Sequence, residues 1–285
     1  MEQNTMTQGT PAPIPSVEQQ LLNITPNPRF QFETHLVEHC NLNCQMCTHF
    51  SPLARPSFTK HETFAADMQQ MSKLFHDNEI LRILLLGGEP LLHPDVSYFL
   101  ETTRKNFPKA EIILYTNGLK LPQMGLSFWE ICLKNRISIT LTRYPISVDY
   151  DLIEHLLMEH NVNYQYCNTP NRSKKSSHYP LDLSGEQDPR HSFLHCDLAN
   201  RCIFLRAGRL YTCTVIPNIS HFNEFFKQHI EVSPLDSIDI YQAASGSEIL
   251  RFLASPPPFC RYCDVSHRTI LHEWAYSDRQ IEEWT

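Results

Sequence analysis

The chain contains no apolar run approaching the roughly 20 residues that a bilayer-crossing helix needs. It also lacks a basic excess: 24 Lys and Arg stand against 31 Asp and Glu, for a formal charge of −7. The first absence argues against a membrane-spanning helix, and the second against a nucleic-acid partner. Residues 1–28 have neither the basic start nor the apolar core of a secretory signal. The expectation is therefore a cytoplasmic protein whose ten cysteines are reduced. There is no internal repeat. Residues 1–28 are rich in Gln, Thr, Pro and Asn and read as a flexible lead or a short contact arm. At 285 residues, 41% of them apolar, the chain suits one large domain or one domain with an appendage.

What is present is clustered cysteine. Cys40, Cys44 and Cys47 stand as C-x3-C-x2-C, and five more lie at Cys196, Cys202, Cys213, Cys260 and Cys263. Three thiolates on one short loop can wrap an iron–sulfur cube and leave its fourth iron without a protein ligand. The competing reading is a structural zinc loop, although zinc sites favour C-x2-C pairs and four ligands. Cys132 and Cys167 are isolated and read as small core hydrophobes.

From Phe30 onward, strand and helix patterns alternate. Residues 30–38, 80–86, 111–115, 137–142 and 162–167 read as strands, and 61–76, 94–107, 126–135 and 150–160 as helices. Alternation of this kind implies parallel strands joined by right-handed crossovers, with active groups at the C-terminal strand ends. The cysteine loop, Gly87-Gly88-Glu89-Pro90 and Thr116-Asn117-Gly118 each follow such a strand, which predicts that they share one rim. Residues 168–195 break the rhythm and read as a long surface connection. Residues 203–212 read as a hairpin turning at Ala207-Gly208.

The segment Val37-Glu38-His39-Cys40-Asn41-Leu42-Asn43-Cys44-Gln45-Met46-Cys47 closely resembles the signature of radical S-adenosylmethionine (SAM) enzymes. The resemblance implies an α/β fold, a partial (β/α)6 barrel over residues 29–195. It also implies a SAM-binding [4Fe–4S] cluster on Cys40, Cys44 and Cys47. Met46 takes the place of the apolar, often aromatic residue that touches adenine. Gly87, Gly88, Glu89 and Pro90 take the place of the segment that holds the amino group of the methionine moiety. Asn117 corresponds to a polar group near the cofactor. Arg143 is expected either to pair with a carboxylate of SAM or substrate, or to be a surface arginine. The chemistry implied is reductive cleavage of SAM to a 5′-deoxyadenosyl radical that takes hydrogen from an unactivated carbon. The electron would come from a flavodoxin- or ferredoxin-type donor.

The second cysteine group resembles the shortened "twitch" form of the SPASM auxiliary domain over residues 196–285. That implies a second [4Fe–4S] cluster on Cys196, Cys213, Cys260 and Cys263, with Cys202 as an alternative ligand to Cys196. Four thiolates also satisfy zinc, so a zinc knot stays open. His49, just past the first cysteine loop, is the preferred acid/base group or substrate contact among many histidines, which include His35, His39, His93, His178, His191, His195, His267 and His272. The stretch from Glu38 through Ala54, together with Leu86 through Pro94, resembles small radical SAM/twitch proteins associated with bacterial carbohydrate biosynthesis. A sugar or polyol substrate is the first expectation. Radical modification of a ribosomal peptide is the second, weakened because residues 1–28 are too short and polar for a peptide-recognition domain. A non-catalytic iron–sulfur or zinc protein that binds a partner is the third.

Overall fold

The computed structural model describes residues 9–76, 79–167, 176–271 and 273–285. The chain opens with strand β1 (Gly9–Pro11) and helix α1 (Val17–Asn23). The alternating section follows: β2 (Phe30–Val37), α2 (His61–Leu74), β3 (Ile80–Gly87), α3 (Val96–Asn106), β4 (Glu111–Thr116), α4 (Leu126–Lys134), β5 (Ile137–Leu141), α5 (Tyr150–Glu159) and β6 (Tyr164–Tyr166). Next come β7 (Ser176–His178), α6 (Pro189–Leu194), the hairpin β8 (Phe204–Arg206) and β9 (Arg209–Tyr211), α7 (Val215–Phe226), β10 (Ile238–Asp239), α8 (Gly246–Leu253) and β11 (Thr269–Leu271). Among the described residues no helix is long and apolar enough to cross a membrane.

Strands β2 to β6 pair in parallel in chain order, and β8 adds to the other side of β2 through Glu33 and Phe204. The hairpin partner β9 and then β10 extend that side antiparallel. The result is a mixed α/β architecture around an open, largely parallel sheet: β6 and β10 are its edges and do not meet. It has the form of a partial barrel. Strands β8 and β9, after residue 195, thus continue the sheet begun by β2.

The pattern of side chains explains the layers. Phe32, Leu36, Ile83, Leu85, Ile112, Leu114, Ile139 and Leu141 alternate along their strands and are buried in one core with the helices. Phe64, Met68 and Met71 line one side of α2 at helical spacing and complete that core. The intervening strand positions, Glu33, His35, Tyr115, Thr140 and Gln165, belong to the opposite, concave face. At the hairpin turn Ala207 (φ 46°) and Gly208 (φ 77°) are both left-handed, as a two-residue hairpin loop requires.

Three expectations are corrected. The flexible lead contains order: α1 is opened by a capping box between Ser16 and Gln19. The buried Asn23 donates from Nδ2 to the carbonyls of Phe193 (2.8 Å) and Cys196 (2.7 Å). Residues 1–8 of that lead lie outside the described residues. The surface connection at 168–195 is, from residue 176, a packed segment, with Leu181 and Phe193 buried; residues 168–175 lie outside the described residues. Cys132 is buried as expected, but Cys167 is exposed, with its sulfur 3.1 Å from Thr142 Oγ1 at the thin β6 edge.

Candidate active site

The C-terminal ends of β2, β3 and β4 meet at a cavity of about 150 Å³, whose walls include Cys40, Cys44, Cys47, Gly87, Gly88 and Asn117. The backbone builds this junction. Gly88 N donates to Val37 O (2.8 Å) and Glu89 N to His39 O (3.1 Å). A Cβ on Gly88 would lie 2.1 Å from His39 O, and one on Gly87 2.2 Å from Val37 O, so the contact admits only glycine. Asn117 bridges from β4, its Nδ2 donating to Asn41 Oδ1 at 2.8 Å and lying 3.7 Å from Cys40 Sγ.

Glu89 is completely buried and stands behind the cavity wall. Thr116 Oγ1 donates to its Oε1 (2.7 Å), as does Leu91 N (3.0 Å), and Asn117 N donates to its Oε2 (2.9 Å). Burial pushes its carboxyl up to about 7 against those hydrogen bonds. Those hydrogen bonds tie the end of β3 to β4, and Gly87 and Gly88 border the cavity. Pro90 opens the buried turn that follows. Met46 is buried, with φ 58°, and is not among the residues bordering the cavity.

Burial pushes the Cys44 thiol up to about 12, with the neighbouring Cys47 adding to the push. Cys40 is raised by burial and then by Glu89, and Cys47 by burial. Thiols so placed resist ionising together unless a cation joins them. Backbone N–H groups already point at the sulfurs, as from Leu42 to Cys40 Sγ at 3.3 Å. The donor set, the glycine-only wall and a buried, unpartnered Trp274 Nε1 near Cys44 fit a cationic cluster and a ligand held against it.

Residues 35–155 match the family described as the Radical SAM superfamily. Over this segment the chain is similar to radical SAM domains. It is similar to the GTP 3′,8-cyclase of Sulfurovum sp. (strain NBC37-1), 30% identical over 121 residues, which are 42% of this chain and 36% of that protein. The GTP 3′,8-cyclase of Aliarcobacter butzleri (strain RM4018) is 30% identical over 109 residues, 37% of this chain and 32% of that protein. The chain thus spans about a third of the length of the curated relatives it matches. In fold it is similar to BtrN, whose crystal structure holds AdoMet and 2-DOIA. The TM-score is 0.53 at 16% identity, over 83% of this chain and 93% of that one.

Beside the cysteine cavity, His49 Nε2 stands 4.0 Å from Glu33 Oε1, and its ring meets that of His35 edge-on at 4.8 Å. Burial, followed by the influence of His35, lowers His49 to about 3, so it is neutral. Burial raises Glu33 to about 7, against a hydrogen bond from Thr214. Glu38 gathers His35 Nδ1 (3.1 Å), His221 Nε2 (3.0 Å) and Arg206 Nη2. Burial opposes its charge, but the His221 and His35 hydrogen bonds and Arg206 together hold it well below the usual carboxylate range. Arg143 is not brought to the cavity. Its guanidinium lies over the rings of Tyr150 (4.7 Å) and Tyr166 (4.9 Å) and 3.5 Å from Glu154.

Cys196, Cys213 and Cys263 border a second, apolar pocket, and Cys260 packs with Cys196, Phe193 and Ala199. All four thiols are raised by burial, and Cys260 and Cys263 each feel Cys213 and Cys196. Cys202 is raised by burial and then by Glu33, and it too feels Cys213 and Cys196. Among the described residues no three His, Cys, Asp or Glu side chains meet closely enough to hold a single ion.

Sequence reading singled out neither Glu33, Glu38, Tyr115, Tyr144 nor Trp274. The alternation Gln31, Glu33, His35 inside a strand was the available signal for a polar inner face. His272, named among the histidines, lies outside the described residues.

Proposed function

We propose that this chain is a radical SAM enzyme that oxidises a polyhydroxylated small molecule such as a sugar or aminocyclitol. Cys40, Cys44 and Cys47 would hold a [4Fe–4S] cluster, with SAM lying along Gly87 and Gly88 and touched by Asn117. When bound, the two supply one-electron chemistry that ends in hydrogen-atom abstraction from an unactivated carbon. The protein's part is aim and exclusion of water.

The observation that carries the substrate reading is a row of polar groups on the sheet's concave face. Tyr115, Thr140 and Gln165 lie side by side in register, with Gln165 Nε2 donating to Thr140 Oγ1 at 3.2 Å. Tyr115 and His49 also border the cysteine cavity. Next to them stands Glu33 Oε1, buried and without a hydrogen-bond partner. A substrate rich in hydroxyls would satisfy such groups; an apolar one would leave them stranded. His49 and Glu33 are the proposed contacts to the reacting hydroxyl.

Cys196, Cys213, Cys260 and Cys263 are the proposed ligands of a fully coordinated auxiliary [4Fe–4S] cluster, with Cys202 as an alternative. Such a cluster would receive the electron left when a substrate radical is oxidised. Support comes from Cys196, Cys213 and Cys263 bordering one apolar pocket, with buried Cys260 packed against Cys196.

The experiment is anaerobic reconstitution, reduction, and measurement of 5′-deoxyadenosine with aminocyclitols, sugars and peptides offered in turn. Substrate-stimulated release with a polyol supports the proposal. Stimulation by peptides alone would favour the peptide reading. No SAM cleavage by the fully reduced, iron-loaded protein would leave a partner-binding iron–sulfur protein.

A further inference from the structure

Residues 273–285 cross over the first cysteine loop and are bonded to it along its length. Gln45 N donates to Ala275 O (3.0 Å), and Ser277 N to Asn43 O (2.8 Å). Asn43 Nδ2 returns a bond to Ser277 O (2.7 Å), and Cys44 and Tyr276 form an antiparallel bridge. Farther along, buried Trp284 donates from Nε1 to Cys47 O (3.0 Å), and its ring lies 6.1 Å from that of Phe50. Leu181 N anchors this end by donating to Trp284 O (2.7 Å). The strap thus reaches Asn43, the neighbourhood of Cys44, and Cys47.

Trp274 is the unresolved member of this arrangement. Its Nε1 is buried and has no hydrogen-bond partner. Its ring packs on Tyr276 (4.7 Å) and on Tyr144 (5.4 Å), and Tyr144 borders the cysteine cavity. Tyr144 and Cys44 line the same cavity, and Trp274 lies two residues before Tyr276, which forms the bridge to Cys44. A buried N–H without an acceptor is unfavourable unless a better acceptor arrives, and a cluster-bound thiolate is one.

We propose that residues 273–285 are part of the first cluster site, in which the Trp274 indole N–H and the Tyr144 hydroxyl donate to Cys44 Sγ and raise the cluster's reduction potential. The inference rests on the proposed cofactor reading. A cluster that gains one electron from an external flavodoxin- or ferredoxin-type donor gains one negative charge. Donors aimed at its thiolate favour that reduced state, so their loss moves the potential negative.

The test is a potentiometric titration followed by electron paramagnetic resonance on the reconstituted full chain. It is run in a Cys260→Ala background so that the first cluster is read alone. Trp274→Phe keeps the ring and removes the N–H, and Tyr144→Phe removes the hydroxyl. Each is expected to load as much iron as its parent and to titrate at a more negative potential. Full loading with the parent's potential in both variants would overturn the inference while leaving the cofactor reading intact. A parent that never loads iron would overturn both. A second measurement needs no variant. In the unloaded wild-type chain the Gln45 and Ser277 amides should exchange hydrogen slowly, and fast exchange at both would refute the strap.

Discussion

Asn117 Nδ2 donates to Asn41 Oδ1 at 2.8 Å, joining the end of β4 to the first cysteine loop. The same side chain accepts from Leu119 N through Oδ1 at 3.0 Å, so its orientation is held from two sides. Replacement by Ala removes a bond that positions Asn41 beside Cys40. Losing one such net hydrogen bond, at about 1–1.5 kcal/mol, should weaken SAM binding roughly tenfold with little change in iron content. Binding of SAM to reconstituted Asn117→Ala checks this, and unchanged affinity would contradict it.

Cys44→Ala is expected to abolish SAM cleavage, because the first cluster loses one of only three proposed ligands. Cys260→Ala is expected to remove about half the iron and leave the first cluster's spectrum, since two clusters of one type are proposed. Unchanged iron together with lost zinc would identify the second group as a zinc knot. Cys202→Ser should leave the iron content at the wild-type level, because Cys202 does not border the pocket that Cys196, Cys213 and Cys263 share.

Gly88→Ala places a Cβ 2.1 Å from His39 O, a backbone atom that cannot swing away. The expected cost is about 3 kcal/mol, at the upper end for overpacking. Thermal denaturation of the unloaded protein measures it. A melting temperature equal to wild type would show that the wall relaxes freely.

Asp67 links the first helix of the alternating section to the late hairpin. It accepts from Gly208 N (2.9 Å) and from the Tyr241 hydroxyl (2.7 Å). Burial raises its carboxyl above the usual carboxylate range. With the folded value above the unfolded one, the native state binds the extra proton, so wild-type stability falls as pH rises across that interval. Asp67→Asn should be less stable by about 1–2 kcal/mol at low pH, having lost one acceptor. That deficit should shrink as pH rises through the titration of Asp67. A deficit that grows with pH would be the wrong sign and would reject the account.

Much of the fold was legible because its signals are local. The apolar runs of β3, β4 and β5 read as buried strands, and the spacing of Phe64, Met68 and Met71 as one side of a helix. The cysteine loop and the Gly87-Gly88 pair were visible as short motifs after strands, and they do share one rim. What escaped was the direction of particular side chains. Glu89 reads as a ligand group, and that Thr116 and Asn117 would also donate to its carboxylate was not legible, since a buried carboxylate goes where donors are. Arg143 reads either as an anion partner or as a surface arginine, and its stacking on two tyrosines beside Glu154 was not legible.

The amino-acid order alone determined the alternating strands and helices, the two groups of thiols and the polar positions on alternate strand residues. Those follow from hydrophobic period and short spacing, which act within a turn or two of chain. Only the folded chain decided that β8 would extend the sheet beside β2, that Asn23 would reach the carbonyl of Cys196, and that Trp274 and Trp284 would lie over the first cysteine loop. Such contacts join positions more than 160 residues apart. Their formation rests on the summed burial and hydrogen bonding of the intervening structure, which no local spacing encodes.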